Sequence, residues 1–212
     1  MILLVNKDNR RQHAKLLNQS FALRKRVFAD RLKWQVSVTN GLETDAYDDL
    51  DDTLYLLHAG ADGTVTGCAR LLPSMGPTML ENNFSALLDG HELEKSPTVW
   101  ESTRFAVDHN EKRAGNADAG LVTLRLLAAM TETALAVGLT RILSVTDFRV
   151  ERVLKQTGLP TKRLGKPVRM SDCIAVAGYF DPTPAVLDDL RIKAGLSSAP
   201  IILEAPWTRN AA

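Results

Sequence analysis

Two stretches that read as buried β-strand carry charges in their middle. Residues 65–72 are mostly apolar but contain Arg70, and residues 98–106 are interrupted by Glu101 and Arg104. An unpaired charge is expensive to bury, so any fold that buries these strands must bring partners to them. Candidate partners lie nearby. The run Gly41-Leu42-Glu43-Thr44-Asp45-Ala46-Tyr47-Asp48 concentrates carboxylates in an irregular stretch, and Arg24 adds a cation on a preceding helical pattern. Taken singly, an Arg–Glu pair on a sheet is ordinarily a cross-strand pair and loop carboxylates are ordinarily solvated. Charge coinciding with predicted burial is what points to a site.

The surrounding pattern alternates strands and helices. A short strand opens the chain, and residues 12–29 repeat Leu16, Leu17, Phe21, Leu23, Val27 and Phe28 at near-helical spacing. Residues 33–53 break that pattern with Gly41 and six acidic residues, and a polar stretch of this length predicts a mobile lid. Strands follow at 53–59 and 65–72, joined through Ala61-Asp62-Gly63. Next come a short helix at 82–88, a strand at 98–106 and the strongest helix at 117–137. Its expected inner face is Leu121, Leu124, Leu127, Ala128, Thr131 and Leu135, with Gly138 as its stop. A strand at 141–146, a helix at 149–156, a strand at 172–179 and a helix at 182–193 complete the order. Pro184 falls in the last helix's first turn. This order predicts one α/β domain over residues 1–212, a mixed central sheet flanked by helices, with a tail from about 197.

Composition removes several classes. The formal net charge is +1, so nothing global draws the chain to nucleic acid or anionic lipid. No run of residues reads as apolar over the roughly 18 positions a bilayer span needs, so no membrane insertion is expected. The apolar run at the N-terminus is too short for a secretory signal, which makes the cytoplasm the default location. Cys68 and Cys173 lie far apart and match no metal or redox spacing, so no metal site is expected. GxxxxGK[ST], HExxH and GxSxG are all absent. A weak phosphate-loop pattern occupies residues 112–117, just before the long helix.

The dispersed set Arg24, Phe28, Trp34, Glu43, Asp45, Asp48, Arg70, Phe84, Glu101 and Arg104 resembles the signature of the acyl-homoserine lactone synthases, the LuxI family, in order and spacing. The text around it agrees: Arg70-Leu71-Leu72-Pro73, Met79-Leu80, and Trp100-Glu101-Ser102-Thr103-Arg104-Phe105, with Thr103 where the family usually has Ser. The likeness spans roughly residues 1 to 180. It implies an acetyltransferase (GNAT)-like α/β/α sandwich and two substrates. One is S-adenosyl-L-methionine, a substrate and not a cofactor, and the other is an acyl thioester of acyl carrier protein or coenzyme A. The implied products are the acyl-homoserine lactone and methylthioadenosine.

Residue chemistry suits that implication. Carboxylates and aromatic rings are reasonable hosts for an ammonium and a sulfonium. The resemblance assigns Arg24, Phe28, Trp34, Asp45, Asp48, Arg70, Phe84 and Arg104 to S-adenosylmethionine. Glu101 is the expected general base, with Glu43 second, and backbone N–H groups after Glu101 are candidates for the oxyanion. An acyl tunnel is implied at Ser102, Leu127, Met130, Ser144, Thr146 and Leu154. Core packing explains Leu127, Met130 and Leu154 equally well, and the Ser144 hydroxyl suits a short or 3-oxo chain. Arg149, Arg152 and Lys155, followed by Lys162, Arg163, Lys166 and Arg169, form a basic stretch. It is either a solvated face or a dock for an acidic carrier protein or coenzyme A phosphates. Two rivals stand beside this reading: an acetyl-CoA-dependent N-acetyltransferase, suggested by residues 112–117, and a non-catalytic S-adenosylmethionine sensor of the same fold.

Overall fold

The computed structural model describes residues 1–109, 118–170 and 173–197. The loop pattern at 112–117 and the tail beyond Ser197 lie outside the described residues. Strands are β1 (Ile2–Val5), β2 (Val38–Thr39), β3 (Leu42–Glu43), β4 (Leu54–Ala59), β5 (Val65–Pro73), β6 (Val99–Val107), β7 (Arg141–Asp147), β8 (Lys162–Arg163), β9 (Val168–Met170) and β10 (Cys173–Phe180). Helices are α1 (Ala14–Arg24), α2 (Met79–Asn82), α3 (Ala119–Ala136), α4 (Phe148–Gln156) and α5 (Pro184–Lys193). The main sheet runs β1-β4-β5-β6-β7-β10-β8, with β9 also paired to β10. The β6–β7 pair is parallel and its neighbours are antiparallel, which makes the sheet mixed as expected.

Side chains alternate across the sheet and build two cores. Leu54 and Leu56 of β4, with Ala69 and Leu71 of β5, join Val122, Leu126 and Met130 of α3 and Leu187 and Leu190 of α5. Tyr55, Leu57 and Cys68 face the other way, onto Leu17, Phe21 and Leu23 of α1. Arg70 lies between Ala69 and Leu71, so alternation turns it toward α1. Helices therefore cover both faces, an α/β/α sandwich.

α3 corrects two expectations. Of the expected face, Leu127, Ala128 and Thr131 are buried, but Leu121, Leu124 and Leu135 are only half-buried, and Val122, Leu126, Ala129, Met130, Thr133 and Ala134 are buried as well. The helix is apolar nearly all round, so periodicity gives little contrast for locating its inner face. It is also 18 residues long with mean hydropathy 1.3, long and apolar enough to cross a bilayer, although no such segment was expected. Here half of it is buried against the sheet and α5. The stretch at 33–53 is also more ordered than a plain loop. Asn40 and Gly41, at φ 52° and 79°, close a two-residue hairpin that pairs Val38 with Glu43 and Thr39 with Leu42.

The sheet opens on one side. β6 and β7 pair from Val99–Arg141 to Ser102–Ser144, and both strands run on unpaired to each other beyond that point. The Ser144 hydroxyl donates to the Ser102 carbonyl at 3.0 Å, bracing the place where they part.

Packing of α3 on β5 leaves no room at Gly67. A Cβ there would lie 2.6 Å from Val122 Cγ1 and 2.9 Å from Leu126 Cδ1. Gly67→Ala is expected to destabilise the protein by about 1–3 kcal/mol through overpacking, read as a lower midpoint in denaturant unfolding.

Candidate active site

The site begins where α1 changes its winding. From Lys25 to Arg31 the helix widens to π geometry, with the Leu32 N–H donating to the Val27 carbonyl at 3.0 Å. Such widened turns recur at functional sites because they re-aim side chains. Trp34 N–H then donates to the Phe28 carbonyl at 2.8 Å. That bend stacks the Trp34 ring on Phe28, centroids 5.2 Å apart. Phe28 is buried and Trp34 is 38% exposed.

The acidic stretch folds by its own caps. Asp45 accepts from the Tyr47 N–H at 3.0 Å, and Asp48 accepts from the Asp45 N–H at 2.8 Å, a reciprocal capping box on the turn Ala46–Asp49. This turn and the β2–β3 hairpin aim Asp48 and Glu43 inward. Arg24 meets Asp48 with a two-pronged fork, 2.8 Å at each prong, and meets Glu43 through Nε. Arg70 reaches Asp48 at 2.8 Å, Asp45 at 3.0 Å and the Thr103 hydroxyl at 2.9 Å. Arg104 reaches Glu43 at 3.0 Å and Asp45 at 2.8 Å. Three guanidinium groups thus face three carboxylates. Arg24, Arg70 and Glu43 are essentially solvent-free, while the side chains of Asp45 and Arg104 are 18% and 10% exposed and mark the solvent edge.

Burial alone would push the Asp48 carboxyl up. The Arg24 hydrogen bonds and charge, with the Arg70 charge behind them, outweigh it and hold Asp48 far below the usual carboxylate range. Arg104 is aimed by strain. Cys68 pairs with Ala106 but Arg70 pairs with Thr103, so β6 carries one extra residue and Arg104 takes φ 52°.

Glu101 departs from expectation: its partners are backbone amides, not arginines. Its two oxygens accept from Met79 N–H and Leu80 N–H, both at 2.7 Å, at the start of α2. It is fully buried. Desolvation raises its pKa to about 7 against the lowering effect of those two amides and of Arg70 and Arg104. Glu43, the second choice, sits between two guanidinium groups.

Other expected residues lie elsewhere. Phe84 packs with Leu80, Leu87, Leu88, Ala175 and Ala177 and is not part of the Phe28–Trp34 stack. Leu127 and Met130 belong to the core beneath α3, and Leu154 packs against it. Ser102 and Ser144 sit at the sheet opening, and Thr146 lies on β7 past it. The basic stretch is partly spent. Arg163 and Lys155 both bind Glu151, Lys162 binds Asp181 and Lys166 binds Asp89.

Sequence reasoning missed several contributors. The Tyr55 hydroxyl donates to Asp48 at 2.8 Å, and Arg10 donates to the Asp48 carbonyl at 3.0 Å. A tyrosine between leucines in a buried strand needs a partner for its hydroxyl, and that was the available signal. Thr103, the departure from the family's Ser, keeps the hydroxyl that Arg70 uses.

The sheet opens beside this buried polar network, with helices on both of its faces. An N-acetyltransferase described as putative, from Lactobacillus plantarum, shares the fold at TM-score 0.55 and 16% identity, over 86% of this chain and 98% of that one. The autoinducer synthase pattern matches residues 7–189. The acyl-homoserine-lactone synthase of Agrobacterium fabrum is 43% identical over 178 residues, 84% of each chain. The solved structure of BjaI, described as a CoA-dependent acyl-homoserine lactone synthase with SAM and isopentyl-CoA, superposes at TM-score 0.85 with 26% identity, covering 97% of this chain and 93% of that one. The chain belongs to the autoinducer synthase family and is an acyltransferase of the acyl-homoserine lactone synthase class.

Asp48→Asn would leave Arg24 and Arg70 short of a charge in a dry site and is expected to cost about 3–5 kcal/mol of stability. Asp48's folded pKa lies below its unfolded value of 3.8, so its contribution is complete above about pH 4 and fades as pH falls below it. Unfolding midpoints measured against pH should accordingly show a shallower acid limb in the variant than in the parent.

Proposed function

We propose that this protein acylates the amine of S-adenosylmethionine and then closes its methionine portion into a lactone. The observation that carries the reading is adjacency on β6. Glu101, with a carboxyl poised near 7, immediately precedes Ser102, the last residue paired before the sheet opens. In BjaI the bound molecules are S-adenosylmethionine and isopentyl-CoA, which supports the same pair of substrate classes here.

In the first step Glu101, directly or through one water, takes a proton from the substrate ammonium, and the freed amine attacks the thioester carbonyl. The C–N bond forms and the C–S bond breaks; of the two protons the nitrogen gives up, one protonates the leaving thiolate and the other is released to solvent through Glu101. A base with pKa near the working pH is suited to both transfers. Backbone N–H groups of β6 beyond Ser102, released from β7, are candidates for the developing oxyanion. In the second step the methionine carboxylate attacks its own γ-carbon, forming C–O as the bond to sulfur breaks, and neutral methylthioadenosine leaves. The sulfonium is the leaving group and no further cofactor is needed, so the fold has mainly to hold the chain bent. The reaction belongs in the cytoplasm, where both substrates are made.

The acyl donor is carried by acyl carrier protein in this proposal. Arg149 and Arg152 have no ion-pair partner among the described residues, and they alternate on α4 with Phe148, Val150 and Val153, each 44–48% exposed. An exposed face mixing arginine with apolar side chains suits an acidic partner with an apolar centre better than it suits water.

Two measurements test these assignments. kcat/KM should rise with pH through about 7, because Glu101 must be deprotonated to act. Glu101→Gln should abolish that limb and lower amide formation by about 100- to 10,000-fold. Near-normal turnover in Glu101→Gln with a dead Glu43→Gln would reverse the two roles. For the donor, Arg149→Glu with Arg152→Glu should raise the KM for acylated carrier protein at least about tenfold and leave the KM for S-adenosylmethionine unchanged. A parent enzyme that ignores acylated carrier protein and turns over acyl-CoA would replace the carrier with coenzyme A.

A further inference from the structure

Met79 occupies an unusual position, buried between two arginines of the network. Its thioether sulfur lies 3.3 Å from Arg70 Nη2 and 3.3 Å from Arg104 Nη1, accepting from both guanidinium groups. Every other acceptor these two arginines use is a carboxylate or a hydroxyl oxygen. A thioether is a weak acceptor, so two charged donors converge here on a poor partner: Arg104 Nη1 and the N–H of Arg70 Nη2 that Asp45 does not take. The Met79 backbone is fixed, since its N–H is held by Glu101 at 2.7 Å. Its side chain is unbranched and adaptable, and 7% of the residue is exposed.

We infer that the Met79 thioether is a placeholder for the amino-acid carboxylate of S-adenosylmethionine, and that binding swings it away from Arg70 and Arg104. This rests on the substrate proposed above. A carboxylate that replaces sulfur converts two weak contacts into two charge-assisted ones, so the exchange is favourable for a ligand that carries that group. A ligand without it gains nothing by displacing the side chain. Turnover also reverses the exchange. Lactone closure turns the carboxylate into a neutral ester, the arginines lose their charged partner, and the thioether returns as the product leaves.

The test is methyl NMR of the full chain with its methionines 13C-labelled at the ε-carbon. Met1, Met75, Met130 and Met170 serve as internal controls. The Met79 signal is assigned with Met79→Leu or, should that variant not fold, by replacing the other four in turn. Saturating S-adenosylmethionine should shift the Met79 methyl well beyond the controls. Methylthioadenosine and decarboxylated S-adenosylmethionine should bind without that shift. An unmoved Met79 signal at calorimetrically confirmed saturation, or an equal shift from the decarboxylated compound, overturns the placeholder and leaves the proposed reaction standing. No calorimetric binding of S-adenosylmethionine at all overturns both. Folded Met79→Leu supplies a second readout. It loses the contact that binding must break, so its KM for S-adenosylmethionine should fall about two- to fivefold, the worth of one weak hydrogen bond. A raised KM would mark Met79 as a packing residue only.

Discussion

Three guanidinium groups on one face of a sheet, two of them fully buried and Arg104 at the solvent edge, constrain everything near them. Each needs a carboxylate in a place where water cannot substitute, and the shortfall of a single partner is worth a large fraction of a domain's net stability. Asp48 shows how tightly the demand is met. It accepts two bonds from Arg24 and one each from Arg70, the Tyr55 hydroxyl and the Asp45 N–H. These donors come from α1, β5, β4 and the turn Ala46–Asp49, so the network ties four separate pieces of chain together. Glu43, Asp45 and Asp48 are therefore committed before any substrate arrives, while Asp49, Asp51 and Asp52 stay exposed. Arginines supply the neutralisation that a cationic ligand was expected to bring. What stays open is the stretch around Trp34, where residues 31–35 are exposed.

The same network explains the irregularity in β6. A non-glycine residue at φ 52° costs on the order of 1–3 kcal/mol, and it persists where surrounding contacts over-determine it. Arg104 has those contacts in Glu43, Asp45 and the Phe28 ring, 5.5 Å from its guanidinium carbon. The bulge lies just past the point where β6 leaves β7. One local distortion thus turns a cation into the polar network and coincides with the stretch of β6 that no longer pairs with β7.

The sequence made the need for the network legible more clearly than its wiring. Arg70 and Arg104 sit in strands whose other residues are apolar, and that conflict announces buried partners. Which partner goes where depends on three-dimensional details that charge patterns omit. Glu101 was expected to pair with an arginine but takes two backbone amides, because a residue list shows side-chain charges and hides main-chain donors. Arg163 and Glu151 form a two-pronged pair across twelve residues, which removes one cation from what reads as a basic run. Asn40-Gly41 is a strong hairpin signal that acidic density around it obscured. The inner face of α3 was drawn too narrowly for the opposite reason: Leu127, Ala128 and Thr131 are buried as expected, but with apolar residues on nearly every side, periodicity does not single out Val122, Leu126 and Met130.

The distribution of committed and uncommitted groups also changes how a zwitterionic substrate with an extra sulfonium must be read. Two of the three carboxylates that could cradle its positive charges, Glu43 and Asp48, are buried and already paired with arginines. At the solvent edge stand the Asp45 side chain, the Phe28–Trp34 stack and Arg104. The positive groups of the substrate are then left to the aromatic faces and to Asp45, where cation–aromatic attraction contributes about 0.5–2 kcal/mol per contact. On the inferred placement its carboxylate meets arginines whose charge is already balanced, which makes the interaction one of directed donors more than of net charge. Donors whose charge is already balanced engage an anion through direction and geometry, and they exert little long-range pull on other anions.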